Sequence, residues 1–305
     1  LATGFVSEDE LLTIWQDSAQ PPSVVSVPVD GSPGRVVLGD ADVPRGHRSR
    51  SVAIATADGG TIQAWLATPG GPGPWPTIVN AHGGPQIAQE DRFTPTVQAF
   101  LDHGYAVISP NYHGSAGFGL AFEESIHGRP GELELADLGA ARAWAIEQGI
   151  ADPARVVVEG WSYGGYLALL AVGRQPDLWA AGISGVGVGD YEACYVEQAE
   201  GLRRLDHKLI GGTLEEYPER FRAASPITYA VDVRAPVLVI HGRGDQRCPA
   251  GQMENYIQRL EAHGKDVTAS WFDAGHLGSM GNADLERANA RTMLEFLERV
   301  VPARR

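Results

Sequence analysis

The segment VVVEGWSYGGYLALLAVG at positions 156–173 restricts this chain more than any other. A β-branched run suited to a strand leads into a serine crowded by glycines, then into an Ala- and Leu-rich run suited to a helix. One reading is steric, because a tight strand-to-helix turn needs small residues. The other is chemical: G-x-S-x-G, here Gly160, Ser162 and Gly164, holds a serine on a sharp elbow where larger neighbours would block an approaching substrate. The five-residue pattern is weak alone in a chain with 38 glycines. The strand before it and the helix after it give it force, and they make Ser162 a candidate nucleophile.

The remaining sequence supplies a sheet for that elbow. SVAIATADG and TIQAWLATP read as an antiparallel pair turning at DGG. TIVNAHGG is a strand entering a glycine loop, TPTVQAFLDHG a helix ended by Gly104, and YAVISPNYHG a strand. ELADLGAARAWAIEQG has helical spacing. Beyond the elbow come the strand AAGISGVG, a polar stretch at about 190–230 and the strand APVLVIHG. The helix GQMENYIQRLEAHG, the strand VTASWF and the helix DLERANARTMLEFLERVV close the sequence. Alternation of this kind predicts an α/β protein with a doubly wound, mostly parallel sheet.

The opening residues follow a different pattern. VVSVPV and RVVL flank DGSPG, which predicts a β-hairpin, and TIWQDS reads as a further strand. A lone hairpin is marginal in water, so this one must pack on the main domain or on upstream sequence. The expected division is a hairpin segment with linker at 1–48 and an α/β domain at 49–305.

Composition excludes several functions. The formal charge of −14 argues against a nucleic-acid partner, and basic clusters such as RSR at 48–50 and RR at 203–204 are too short to overturn that. No stretch is apolar for long enough to span a bilayer, and no charged-then-apolar leader opens the sequence, so a soluble, cytoplasmic protein with no membrane partner is expected. Cys194 and Cys248 sit in neither a CxxC nor a metal-ligand spacing, which predicts small buried thiols and no metal. A homo-oligomer is compatible with all of this.

A serine hydroxyl needs a base to take its proton, and the base needs a third group to fix its tautomer. On this kind of sheet the order should be acid and then histidine, each just past a later strand. Asp245 follows APVLVIHG and His276 follows VTASWF, within reach of the sheet's carboxyl edge. His241 lies at a strand end and suits loop structure, while His263 suits a surface helix end. Asp273 stands too close to His276 to orient it easily, and Asp232 and Asp190 are acids in reserve. The oxyanion donors are expected to be the N–H of Tyr163, just after the nucleophile, and that of Gly84 in NAHGGP, with His82 closing the loop.

Seven stretches, AHGGP, NYHGSAGFG, ADLGAARAW, GWSYGGY, SPITYA, HGRGDQRCP and AGH, occur in order over about residues 60–280. On them the sequence resembles the catalytic domain of the prolyl oligopeptidase family of serine peptidases, especially its acylaminoacyl-peptidase-like branch. The resemblance implies an α/β-hydrolase fold, with nucleophile, acid and base on Ser162, Asp245 and His276 and oxyanion donors at Gly84 and Tyr163. It also implies short peptide or aminoacyl substrates and no cofactor. His113 stands where the family usually has arginine, and Cys248 where valine commonly precedes the proline.

Family members usually carry an N-terminal β-propeller that filters substrates by size. LLTIWQDSAQPPSVVSVPVDGSPGRVVL looks like the end of a last blade. With Leu1 in place of an initiating methionine, the sequence reads as the C-terminal portion of a longer protein, the alternative being a natural single-domain hydrolase. A carboxylesterase with the same machinery is the second functional reading, and a silent scaffold the third. Trp161, Tyr191 and Glu197, with Tyr195 and Glu200, are candidate substrate contacts. The residues after Trp161 suit a solvated surface equally well.

Overall fold

The computed structural model describes residues 3–39 and 43–303, so residues 1, 2 and 40–42 of the N-terminal segment lie outside the described residues. Four strands open the chain: β1 (Gly4–Phe5), β2 (Glu10–Asp17), β3 (Gln20–Pro28) and β4 (Arg35–Leu38). They form an antiparallel sheet in the order β1-β2-β3-β4. The expected hairpin is its β3–β4 half, and all of TIWQDS but Ser18 falls in β2. Strand β1 is two residues long, too short to leave a period in the sequence.

Eight further strands make the second sheet: β5 (Arg50–Ala55), β6 (Thr61–Ala67), β7 (Trp75–Ala81), β8 (Ala106–Pro110), β9 (Ala151–Trp161), β10 (Ala181–Gly185), β11 (Val237–Gly242) and β12 (Val267–Phe272). Their order is β12-β11-β10-β9-β7-β8-β6-β5. From β12 to β8 the pairing is parallel, and β6 and β5 join antiparallel. This is the doubly wound, mostly parallel sheet that the alternation predicts. Its winding reverses between β7 and β9, and open α/β sheets bind ligands at such switch points.

Helices cover both faces. In chain order they are α1 (Pro95–Asp102), α2 (Leu120–Glu124), α3 (Leu133–Glu147), α4 (Tyr163–Arg174), α5 (Tyr191–Glu197), α6 (Glu200–Ile210), α7 (Pro218–Ala224), α8 (Ala250–Ala262) and α9 (Ala283–Val300). Helices α5–α7 occupy the polar stretch to which the sequence assigned no elements. Side chains alternate across each strand, and the two cores record it. Val156, Val158, Val237 and Val239 pack with α3, α4 and α8. Val157, Leu238 and Ile240 pack on the other face with Phe100 of α1 and with Met293, Phe296 and Leu297 of α9. Each such side chain contributes roughly 1.5–3 kcal/mol on burial, which accounts for the continuous apolar runs of these strands.

The N-terminal sheet is tied to α1 through polar contacts. The buried Gln98 donates to the carbonyls of Ser18, at 2.9 Å, and His47, at 3.1 Å, and accepts from the His47 N–H at 2.6 Å. Ser18 N–H donates to Asp91 at 2.8 Å, and Ser18 Oγ accepts from Ser49 N–H at the same distance. Among the described residues no helix is long and apolar enough to cross a membrane.

Candidate active site

Ser162 joins β9 to α4 at the switch point. Its φ of +57° lies in the left-handed region, which costs a non-glycine residue of order 1–3 kcal/mol. Close packing sustains the strain. A Cβ on Gly164 would lie 1.9 Å from the carbonyl oxygen of Ala81 at the end of β7, so only glycine lets α4 start there. Strands β7 and β9 pair directly, with Ala81 opposite Gly160, and this sets the loop after β7 beside the serine. A Cβ on Gly83 would come 3.4 Å from that of Ser162.

The ends of β11 and β12 bring in the other two groups. With the proton on Nδ1, His276 donates to Asp245 Oδ2 at 2.8 Å, and its Nε2 accepts from Ser162 Oγ at 2.8 Å. Asp245 is buried, and its second oxygen accepts the backbone N–H groups of Arg247, at 2.8 Å, and Cys248, at 2.9 Å. Burial is the largest single influence on His276 and opposes its charge. The hydrogen bond it donates to Asp245, the contact with Cys248 and the charge of Asp245 outweigh it, pushing the imidazole up to about 9. The Cys248 thiol is itself pushed well up, by its hydrogen bond with Cys194 and by burial. Both cysteines are free and buried.

The rival acids and bases stand elsewhere. His241 is buried and donates Nε2–H to the Cys248 carbonyl at 2.8 Å, bracing the loop that carries Asp245. Asp190 caps α5 and accepts from Asn255. His263, Asp232 and Asp273 are exposed.

Tyr163 is the first residue of α4, so its N–H has no intrahelical partner. Gly84, at φ +119°, donates its N–H to no backbone carbonyl among the described residues. His82 locks this loop. Its ring stacks on Tyr112 with centroids 4.2 Å apart, Nε2 bonds Ser115 Oγ at 2.8 Å, and Nδ1 lies 2.7 Å from the Gly83 carbonyl. Burial pushes His82 down to about 4, so it stays neutral and structural.

Trp161 and Ser162 line a cavity of about 560 Å³ that His276 also borders. Tyr191 and Glu197 do not line it. Tyr191 is buried and donates its hydroxyl to Asp206 at 2.9 Å, and Glu197 is exposed beside the start of α8. His113 is paired with Asp137 at 2.7 Å and stacks on Phe122.

Several residues at the site escaped the sequence reading. Glu159, three residues before Ser162, is buried and accepts from Asn80 and from the side chain of Trp161; burial pushes its carboxyl up to about 7. Glu134, also raised to about 7 by burial, accepts the hydroxyl of Tyr163 at 2.6 Å. A glutamate inside the run VVVEG was the available signal, because a charge in a buried strand demands a partner.

Among the described residues one grouping has the composition of a metal site: one donor atom each of Asp245, Cys248 and His276 lie within 4.8 Å of one another. The carboxylate and imidazole are hydrogen-bonded to each other, with a thiol beside them.

A serine hydroxyl, imidazole and carboxylate at the carboxyl edge of a mostly parallel sheet define the α/β-hydrolase class. The chain belongs to the prolyl oligopeptidase family, whose model matches residues 91–303. It is 31% identical over 230 residues to the uncharacterized peptidase YuxL of Bacillus subtilis, covering 74% of this chain and 35% of that protein. It is 33% identical over 207 residues to the acylamino-acid-releasing enzyme of Arabidopsis thaliana, covering 65% of this chain and 27% of that protein. The structure of the acylaminoacyl peptidase of Pyrococcus horikoshii superposes with a TM-score of 0.89 at 26% identity, over 98% of this chain and 49% of that one. The matched segment thus spans about a third or less of these curated relatives.

Proposed function

We propose that this chain is a serine peptidase that hydrolyses amide bonds of short peptides or of aminoacyl and acylaminoacyl compounds through an acyl-enzyme. The observation that carries the reading is the unbroken relay from Ser162 Oγ through His276 to Asp245, with 2.8 Å at each step. Ser162 attacks the carbonyl carbon while His276 Nε2 takes its proton. Asp245 holds the imidazole and stabilises its charged form. The N–H groups of Gly84 and Tyr163 receive the oxyanion, and such a donor is typically worth ~100- to 1,000-fold in rate. His276 then protonates the leaving amine, and water repeats the sequence on the acyl-enzyme. Trp161 contacts the bound substrate. The relative named for releasing acylamino acids supports amides over esters as the natural bond.

The N-terminal sheet is proposed as the junction to a β-propeller upstream in the same protein, with residues 1–48 as the junction segment and 49–305 as the catalytic domain. The exposed apolar side chains of Phe5, Trp15, Val36 and Leu38 support this reading.

A turnover panel tests the function, with Ser162→Ala as the blank. It compares a short-chain nitrophenyl ester with anilides of free and N-acylated amino acids. Anilide cleavage that disappears in the blank is expected. Cleavage of esters alone would replace the peptidase with an esterase.

A further inference from the structure

We infer that the cavity beside Ser162 is the leaving-group pocket, and that it takes amines carrying a large apolar or aromatic group. The inference rests on the hydrolase reading and deepens it. In acylation the new bond joins Ser162 Oγ to the substrate carbonyl carbon, and the bond to the leaving nitrogen breaks. The serine proton, held on His276 Nε2, passes to that nitrogen, so the departing amine must lie against the imidazole. The cavity of about 560 Å³ meets this requirement, because it is bordered by His276 and Ser162 but not by Gly84 or Tyr163. The oxyanion side and the leaving-group side of the serine are thereby separated. That volume lies within the range of small-molecule sites.

Its walls define the ligand. Val186, Leu277, Met280 and Met293 supply apolar surface, and Ala283 and Ala290 of α9 contribute only methyl groups, which keeps the space open. Leu277 and Met280 are 50% and 70% exposed, an apolar rim on the cavity that His276 also borders. Val186 holds φ at +42°, a conformation that a β-branched residue rarely adopts outside a constrained site.

Capture of the acyl-enzyme tests the pocket. In capture an added amine attacks the acyl carbon, loses its proton to His276 and returns the serine oxygen with a proton. With one nitrophenyl ester as acyl donor, tryptophanamide and glycinamide compete with water. Burial of the indole should let tryptophanamide capture half the acyl groups at a concentration at least ~10-fold below that of glycinamide. Ala290→Phe should remove this preference. Ala283→Trp, at an exposed position, should do the same should the first variant disturb helix packing. Equal capture of both amines by the unaltered chain would overturn the pocket assignment, as would a preference that survives in both folded variants. Mass spectrometry of the acyl adduct separates the two levels of failure. Indiscriminate capture with the adduct on Ser162 removes the pocket alone, whereas no adduct on Ser162 removes the hydrolase reading beneath it.

Discussion

Two valine-rich stretches, VVV at 156–158 and VVL at 36–38, meet opposite fates. The first lies in β9 with all three side chains fully buried, whereas in β4 Val36, Val37 and Leu38 are 60%, 48% and 70% exposed. Intrinsic strand preference is alike in the two, so the difference is cover. Strand β9 has β10 and β7 beside it and helices above and below, while among the described residues β4 pairs only with β3. The eight-stranded sheet is complete in its packing and holds the candidate site. The N-terminal sheet instead presents apolar surface of the kind that interfaces use.

If that contrast is correct, disturbing the buried sheet should cost activity, and disturbing the N-terminal sheet should not. The largest effect is expected from Ser162→Ala, which should lower turnover by at least ~10⁴-fold with the thermal midpoint little changed. Asp245→Asn should cost ~10⁴-fold, because the imidazole loses the partner that fixes its tautomer. A near-silent Asp245→Asn would remove it from the relay.

Gln98→Ala attacks the anchor between the two regions. It leaves the polar groups of Ser18 and His47 unpaired and should lower stability by ~1–3 kcal/mol. Turnover at 25 °C should stay within ~2-fold of the parent, since surviving folded molecules keep the relay. A thermal scan with an assay on the same sample checks both halves. A large loss of turnover with intact fold would mean that the N-terminal sheet shapes the site.

The next effect is on pH dependence. A base must be neutral, and His276 is raised to about 9, so kcat/KM should climb with pH through about 9. Cys248→Val removes one of the contacts that raise it, so the ascending limb should move to lower pH. A limb that stays in place would show that the thiol has no hold on the imidazole. The same shift acts on stability. The folded pKa exceeds the ordinary value of 6.5, so this stabilisation is complete below 6.5 and fades as pH rises through about 9. The smallest effect belongs to the open edge. Val36→Ser with Leu38→Ser should change stability by no more than ~0.5 kcal/mol and reduce self-association in light scattering. Marked unfolding would show that β4 is covered after all.

Legibility in the sequence follows the same division. Strand and helix periods are local, so β5–β12 and the major helices could be read to within a few residues, except that β9 begins at Ala151, through a DP step that reads as a loop. The order of Ser162, Asp245 and His276 was legible because each follows a recognisable strand. The supports of the site were not. Gln98 meets Ser18 across 80 positions and Asn80 meets Glu159 across 79, and no local pattern reports such pairs. The helices over 191–224 were hidden because their burial depends on one another: Tyr191 and Tyr195 both pack on Phe221.

Every step proposed for this chain requires that His276 activate Ser162. Fluorophosphonate labelling of the intact chain, followed by peptide mapping, tests it most directly. One adduct is expected on Ser162, absent in Ser162→Ala and formed far more slowly in His276→Ala. An adduct on another residue, or labelling of Ser162 at an unchanged rate without His276, would contradict it.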